Sequence, residues 1–211
     1  MSSSGLQCGM RTDSERRPAR SRMVHSAGVL VRERGVHGVG LREIVAHAGG
    51  PRGSLQRYFP GGKTQLVTEA LDIAGADVAA LADANLIKAR TLADAIDAVI
   101  APWRQLLLDS DFTLGCPIAA TVVDASGNDQ LREKARALLA QWQDSVRDAL
   151  IRFGNPKSTA DEHASVLLAA LEGALILARA QHSIQPLDTV QRFFTTSFTP
   201  TAGQSRAHRK T

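Results

Sequence analysis

The run from Leu41 to Phe59, LREIVAHAGGPRGSLQRYF, constrains this chain more than any other segment. Leu41, Ile44, Val45 and Ala48 repeat at three- and four-residue steps, the spacing of one helical face. Gly49-Gly50-Pro51 ends that helix, because glycine suits the left-handed cap conformation and proline cannot continue a helix but can open the next. The second helix is short. Arg52, Gly53, Ser54, Gln56, Arg57 and Tyr58 surround one packing pair, Leu55 and Phe59. A helix anchored on one side and rich in hydrogen-bonding side chains is built to be presented outward. Two helices joined in this way form a helix-turn-helix, whose second helix enters the major groove of DNA.

The composition points to helices throughout. Of 211 residues, 44% are hydrophobic and only 4% aromatic, whereas sheets are enriched in aromatic and β-branched residues. No apolar stretch reaches the ~18 residues of a membrane span, and the polar, basic start from Met1 to Pro18 lacks the apolar core of a signal peptide. The two cysteines, Cys8 and Cys116, make no disulfide framework, and no Cys/His cluster has metal-ligand spacing. No metal, cofactor or membrane partner is therefore expected, and the location is expected to be cytoplasmic. No G-x-S-x-G, H-E-x-x-H or phosphate-loop pattern is present, so the chain does not read as an enzyme.

The net charge of +4 conceals a division. Residues 1–65 hold 11 Lys and Arg against 4 Asp and Glu, a balance of +7. Residues 66–200 hold 11 against 17, a balance of −6. Such halves can arise by chance, but a positive front that coincides with the motif is the footprint of nucleic-acid binding.

Met1 to Arg17 reads as a disordered arm, 18–65 as a helix-turn-helix domain, 66–198 as a helical body and 199–211 as a basic, disordered tail. A first helix spans about 18–34 and stops at Gly35. Gly40 caps the next, with Glu43 supplying half of a capping box. Further helices are expected from Lys63 to about Ala84 and from Leu92 to Leu108, the latter kinked or restarted by Pro102. Ile118 to Val123 has the composition of a strand, but Pro117 ahead of it and its helical neighbours favour a helix. Leu131, Ala135, Leu138, Leu139, Trp142, Val146, Leu150 and Phe153 mark a long amphipathic helix over 129–153. The next, over 159–182, is apolar nearly all round and needs cover on every side, from its own domain or from another subunit. A short helix over 187–198 closes the chain.

Gly35, Ile44, the turn at Gly49, RGSLQRYF and then Lys63, in this order, resemble the TetR family of one-component transcriptional repressors. GGPRGSLQRYFPGGKTQL and GCPIAATVVDA are similar to the LmrA/YxaF-type subgroup. The resemblance implies an all-α homodimer with a three-helix DNA-binding head and a body that encloses a small-molecule pocket. It also implies dimerisation through the last two long helices, for which Leu167, Leu171, Ala174, Leu175, Ala178, Val190 and Phe194 are the candidates. A ligand would then move the two recognition helices and release a near-palindromic operator. Two departures stand out. Gln56 occupies a position where the family usually has an aromatic residue, and Val39 and Gly40 stand where it usually has Ser or Thr.

The candidate DNA contacts are Arg42, Arg52, Gly53, Ser54, Gln56, Arg57, Tyr58 and Lys63. Arg52 and Arg57 can bond guanine or phosphate, Gln56 can pair with an adenine edge, and Lys63 at a helix start suits a phosphate. The competing reading of each is a solvated surface group, or for Tyr58 a packing residue. Trp103, Leu107, Phe112, Cys116, Ile118, Leu138 and Trp142 are the candidates to line a pocket for a small hydrophobic effector; core packing is the rival role of each. Cys116 beside Pro117 reads as an inert thiol before a redox sensor. Functionally, the leading expectation is a ligand-responsive repressor of double-stranded DNA operators. An orphan DNA-binding protein with a collapsed core, or a helical small-molecule carrier, are the alternatives.

Overall fold

The computed structural model describes residues 18–198, apart from Arg52 and the side chains of Leu81, Ala82 and Phe198. The expected arm (1–17), the basic tail (199–211) and the candidate contact Arg52 lie outside the described residues. Among those described, every regular element is a helix. These are α1 Ala19–Arg34, α2 Leu41–His47, α3 Leu55–Tyr58, α4 Gly62–Lys88, α5 Leu92–Asp109, α6 Pro117–Asp124, α7 Asp129–Arg152, α8 Lys157–Gln181 and α9 Gln185–Phe198. The architecture is all-α.

Local chemistry sets the helix ends. The turn after α2 is a Schellman motif: Gly50 N–H donates to Val45 O at 3.0 Å and Gly49 N–H to Ala46 O at 3.1 Å. Gly49 makes it possible by sitting at φ +59°. The Arg22 guanidinium of α1 caps the same end, donating to Ala48 O at 2.9 Å. At α5, Thr91 and Asp94 form a complete capping box, with Asp94 N–H to Thr91 Oγ1 at 3.1 Å and Thr91 N–H to Asp94 Oδ2 at 2.9 Å. The α2 box has only one half. Glu43 accepts from Gly40 N–H at 3.4 Å, and glycine has no side-chain oxygen to return the bond.

The helices pack around two apolar clusters. A smaller one, in the head, gathers Met23, Ala27, Leu30, Val39, Ile44, Val45 and Phe59 from α1, α2 and the turn segments. A larger one, in the body, gathers residues of α5, α6, α7, α8 and α9 around Ile96, Ile100, Leu107, Leu131, Leu150, Leu171 and Phe194. α4 serves both, with Leu66 and Ala70 in the first and Val67 and Leu71 in the second. The 65/66 boundary expected from the sequence therefore falls inside a helix whose next turn still packs in the head.

Three expectations change. Pro102 lies within one unbroken helix, α5. α4 runs four residues past Ala84 to Lys88. α8 is long and apolar enough to cross a membrane by length and composition, with a mean hydropathy of 1.4 over its best 18-residue window. No such stretch was expected, because the run is interrupted by Glu172. One face of α8 packs in the core, with Ala164, Leu167, Leu171 and Ala178 fully buried against its neighbours, while its other face is left exposed.

Gly49→Ala should destabilise the protein by roughly 1–2 kcal/mol, the penalty for placing a Cβ in the left-handed region. Thermal unfolding of the variant, read as a lowered Tm, checks this.

Candidate nucleic-acid interface and body pocket

The head presents a small polar surface on a rigid base. Phe59, fully buried, closes the base just after α3. Gly53, Gln56 and Arg57 are exposed beside it, as is Arg42 on α2. Ser54 turns its hydroxyl back to Pro51 O at 2.7 Å. Tyr58 is half-buried against the head cluster, so its ring packs while its hydroxyl accepts from Arg57 Nη2 at 3.1 Å. The Arg57 guanidinium lies 4.9 Å from the centroid of that ring. Lys63, in the first turn of α4, is part-exposed. Arg20, the most suitable cation of the N-terminal segment for a phosphate, is engaged by Glu69 at 2.7 Å and stacks over Phe59. Val39 is a core residue of the head, its side chain 1% exposed.

The body contains a pocket of about 350 Å³ between α4, α5, α6 and α7, open to solvent at a rim where Asp72, Ala76, Ala79, Asp83, Gln141 and Ser145 are exposed. Ala74, Gly75, Ala76 and Ala79 give α4 a wall of very small side chains, and a Cβ on Gly75 would come within 3.0 Å of Leu138. The opposite walls carry Trp103, Ile118, Leu138 and Trp142. The two indoles stack at 5.5 Å with a 34° tilt. Cavities of this size accept small organic molecules.

Residues 24–70 match the family of bacterial regulatory proteins, tetR family, and residues 93–193 match the transcriptional regulator LmrA/YxaF-like C-terminal domain. An uncharacterised HTH-type transcriptional regulator of Mycobacterium tuberculosis is 43% identical over 180 residues, covering 82% of this chain and 90% of the relative. The chain belongs to the TetR family. This TetR-family protein is also 26% identical over 180 residues to the HTH-type transcriptional regulator LmrA of Bacillus subtilis, covering 80% of this chain and 90% of LmrA. The crystal structure of a TetR regulator from Chloroflexus aurantiacus aligns with a TM-score of 0.72 at 29% identity, over 86% of this chain and 94% of that one. One from Legionella pneumophila shares the fold at a TM-score of 0.79 and 17% identity, over 87% and 98%. These are transcriptional regulators, not enzymes.

In this TetR-family regulator, four of the seven expected pocket residues line the cavity: Trp103, Ile118, Leu138 and Trp142. Leu107 does not, being fully buried in the core. Phe112 does not either. The chain reverses after α5 with Asp111 at φ +50° and Phe112 at φ +59°, which throws the ring onto His182, 4.6 Å away. Cys116 faces a separate groove with Gly35, Glu172 and Arg179. Its thiol caps α6, accepting from Ala119 N–H at 3.4 Å. Burial first, and then the adjacent Glu172, pushes the Cys116 pKa far up, so the thiol is protonated and inert at neutral pH. Burial likewise raises the Glu172 carboxyl.

The sequence reading missed the α4 side of the cavity, including Asp72, Asp83 and the small residues between them. The signal was present, because 72, 76, 79 and 83 follow helical spacing along one face. The expected dimer residues also need correction. Leu167, Leu171, Ala174, Leu175, Ala178 and Phe194 are all buried inside the subunit and Val190 packs against its core. The apolar residues that α8 and α9 leave outward are Val166, Ile176, Leu177 and Phe193, which are 50%, 70%, 51% and 59% exposed.

Head and body are fastened by polar clasps as well. Asp124, at the end of α6, accepts from the backbone N–H of His37 in the α1–α2 loop and lies 2.9 Å from its ring Nδ1. Gly35 must be glycine for this approach, since it sits at φ +75° and a Cβ would stand 2.8 Å from Asp124 Oδ2. Arg179 of α8 donates to Glu33 O at 3.1 Å and Thr113 O at 2.9 Å. Asn128 Nδ2, ahead of α7, donates to Thr64 Oγ1 at 2.9 Å.

The His37 backbone N–H, followed by the His37 side chain, holds the Asp124 carboxyl below its ordinary value near 3.8. Folding lowers that value, so the clasp's contribution is present above about pH 4 and is lost as pH falls through the lowered value. Asp124→Ala should therefore speed amide exchange over residues 36–38 at pH 7. Wild-type exchange there, corrected for intrinsic rates, should show constant protection between pH 5 and 8. Site-resolved mass spectrometry after mild alkylation at pH 8 should find Cys116 unmodified in the native protein and modified once it is unfolded.

Proposed function

We propose that this chain is a cytoplasmic, ligand-responsive repressor that binds a near-palindromic DNA operator as a homodimer and is released by a small hydrophobic effector. The observation that carries the effector part is the cavity of about 350 Å³, which shares two helices with the DNA-binding head. α4 forms one wall and holds Leu66 and Ala70 in the head cluster. α6 begins at the cavity with Pro117 and Ile118 and ends at Asp124, clasped to the head loop. An orphan regulator with a collapsed core would lack that space.

Arg42, Gly53, Ser54, Gln56, Arg57, Tyr58 and Lys63 are proposed to face DNA, with Arg52 added from the sequence. Arg57 and Gln56 are exposed where base edges would lie in a helix-turn-helix complex. Lys63 at the start of α4 is suited to a phosphate. The dimer is proposed to form on the outward stripe of α8, where Val166, Ala169, Gly173, Leu177 and Ala180 follow three- and four-residue steps. Nothing lies within 4 Å of a Cβ on Gly173, which leaves room for a facing helix. Two heads would then read successive major grooves about 34 Å apart.

Fragments selected from random and genomic DNA should converge on a near-palindrome, and titration with salt should weaken binding steeply. Arg57→Ala should cost about 1–3 kcal/mol and relax specificity, whereas Lys63→Ala should weaken all sites alike and lower the salt slope by about 1. Equal loss of sequence preference in both variants overturns that division. Leu177→Asp should give a monomer in sedimentation velocity, with operator affinity lost in parallel.

A further inference from the structure

The two charged side chains that line the pocket are both acidic. Asp72 and Asp83 of α4 line it, together with the neutral Gln141 and Ser145 of α7, and no Lys or Arg does so among the described residues. Lys134 of α7 pairs with Asp72. Asp83 has no ion-pair or hydrogen-bond partner among the described residues. Across from them stand the only two tryptophans of the chain, stacked at 5.5 Å. Trp103 is 2% exposed, yet its indole N–H has no acceptor among the described residues.

An indole face carries negative potential and attracts a cation, and tryptophan does so more strongly than other rings. The unpaired carboxylate of Asp83 on the facing wall adds to that field, and an anionic ligand would meet its like charge, whereas Asp72 is already compensated by Lys134. We infer that the cavity selects a planar aromatic cation, its ring against Trp103 and Trp142 and its charge toward Asp83. This rests on the cavity being the effector site and names the chemistry of what fills it.

The test compares N-methylacridinium with acridine, which is of nearly the same shape but uncharged at pH 7.5. Because both tryptophans line the cavity, quenching of intrinsic fluorescence reads its occupancy directly, and calorimetry gives the affinities. The cation should bind about tenfold more tightly or better, and Asp83→Asn should bring the two compounds close to parity. Trp142→Ala should weaken the cation without unfolding the chain, as judged by circular dichroism. Acridine binding as well as the cation, or an unchanged ratio in Asp83→Asn, overturns the charge selection and leaves the cavity as effector site. Binding of neither compound also overturns it. Cation binding in the cavity that leaves operator complexes intact supports the inference and overturns release by effector instead; Ala79→Phe, which narrows the cavity, controls for direct action of the dye on DNA.

Discussion

Everything in this molecule depends on α4 belonging to two cores at once. Within six residues it commits Leu66 and Ala70 to the head and Val67 and Leu71 to the body. A buried Leu or Val contributes roughly 1.5–3 kcal/mol, so pulling α4 out of either cluster would cost more than the ~1–3 kcal/mol typical of coupling between sites. In the proposed effector response α4 would therefore stay packed in both cores and tilt as a rigid strut, carrying the head with it. The polar clasps at Asp124, Arg179 and Asn128 are the softer part of the junction, because they sit at the surface and exchange readily with water.

The charge division in the sequence acquires a physical meaning in this arrangement. The head keeps its cations outward at Arg42 and Arg57, while Arg20 is spent on Glu69 and a ring. Acidic residues of the body serve different ends. Asp188 anchors Arg104 and so holds α9 on α5, at 2.9 Å. Asp124 secures the head loop, and Asp83 is left facing the cavity. A balance of charges counted along the chain cannot separate these roles, since each depends on what stands opposite.

Much of the fold was legible from local rules. The Gly49 turn, the Gly35 stop and the Pro117 start each follow from one or two residues, the amphipathic spacing of α7 follows from eight, and the structure has all four. The head is read most easily for the same reason, because its motif is contiguous. The cavity and the outer stripe of α8 are harder to read because they are matters of facing. α8 is apolar at Leu167 and at Val166 alike, and composition does not say which of the two turns inward; the packing of α7 and α9 decides it. Likewise Phe112 reads as a pocket residue until two left-handed residues turn it away. The cavity lining on α4 is small and acidic rather than aromatic, so a search for large apolar residues passes over it.

The shared helix also bears on how such regulators are recombined. A chimera that joins one relative's head to another's body at the end of the motif, near residue 65, would bring Leu66 and Ala70 from the wrong parent into the head core. A seam beyond Leu71 would instead import a foreign Val67 and Leu71 into the body. No cut in α4 leaves both cores intact, so exchange of specificities between members with this geometry works only where the parents agree along those two turns. In such an exchange head and body behave as one piece, because α4 carries side chains of both cores.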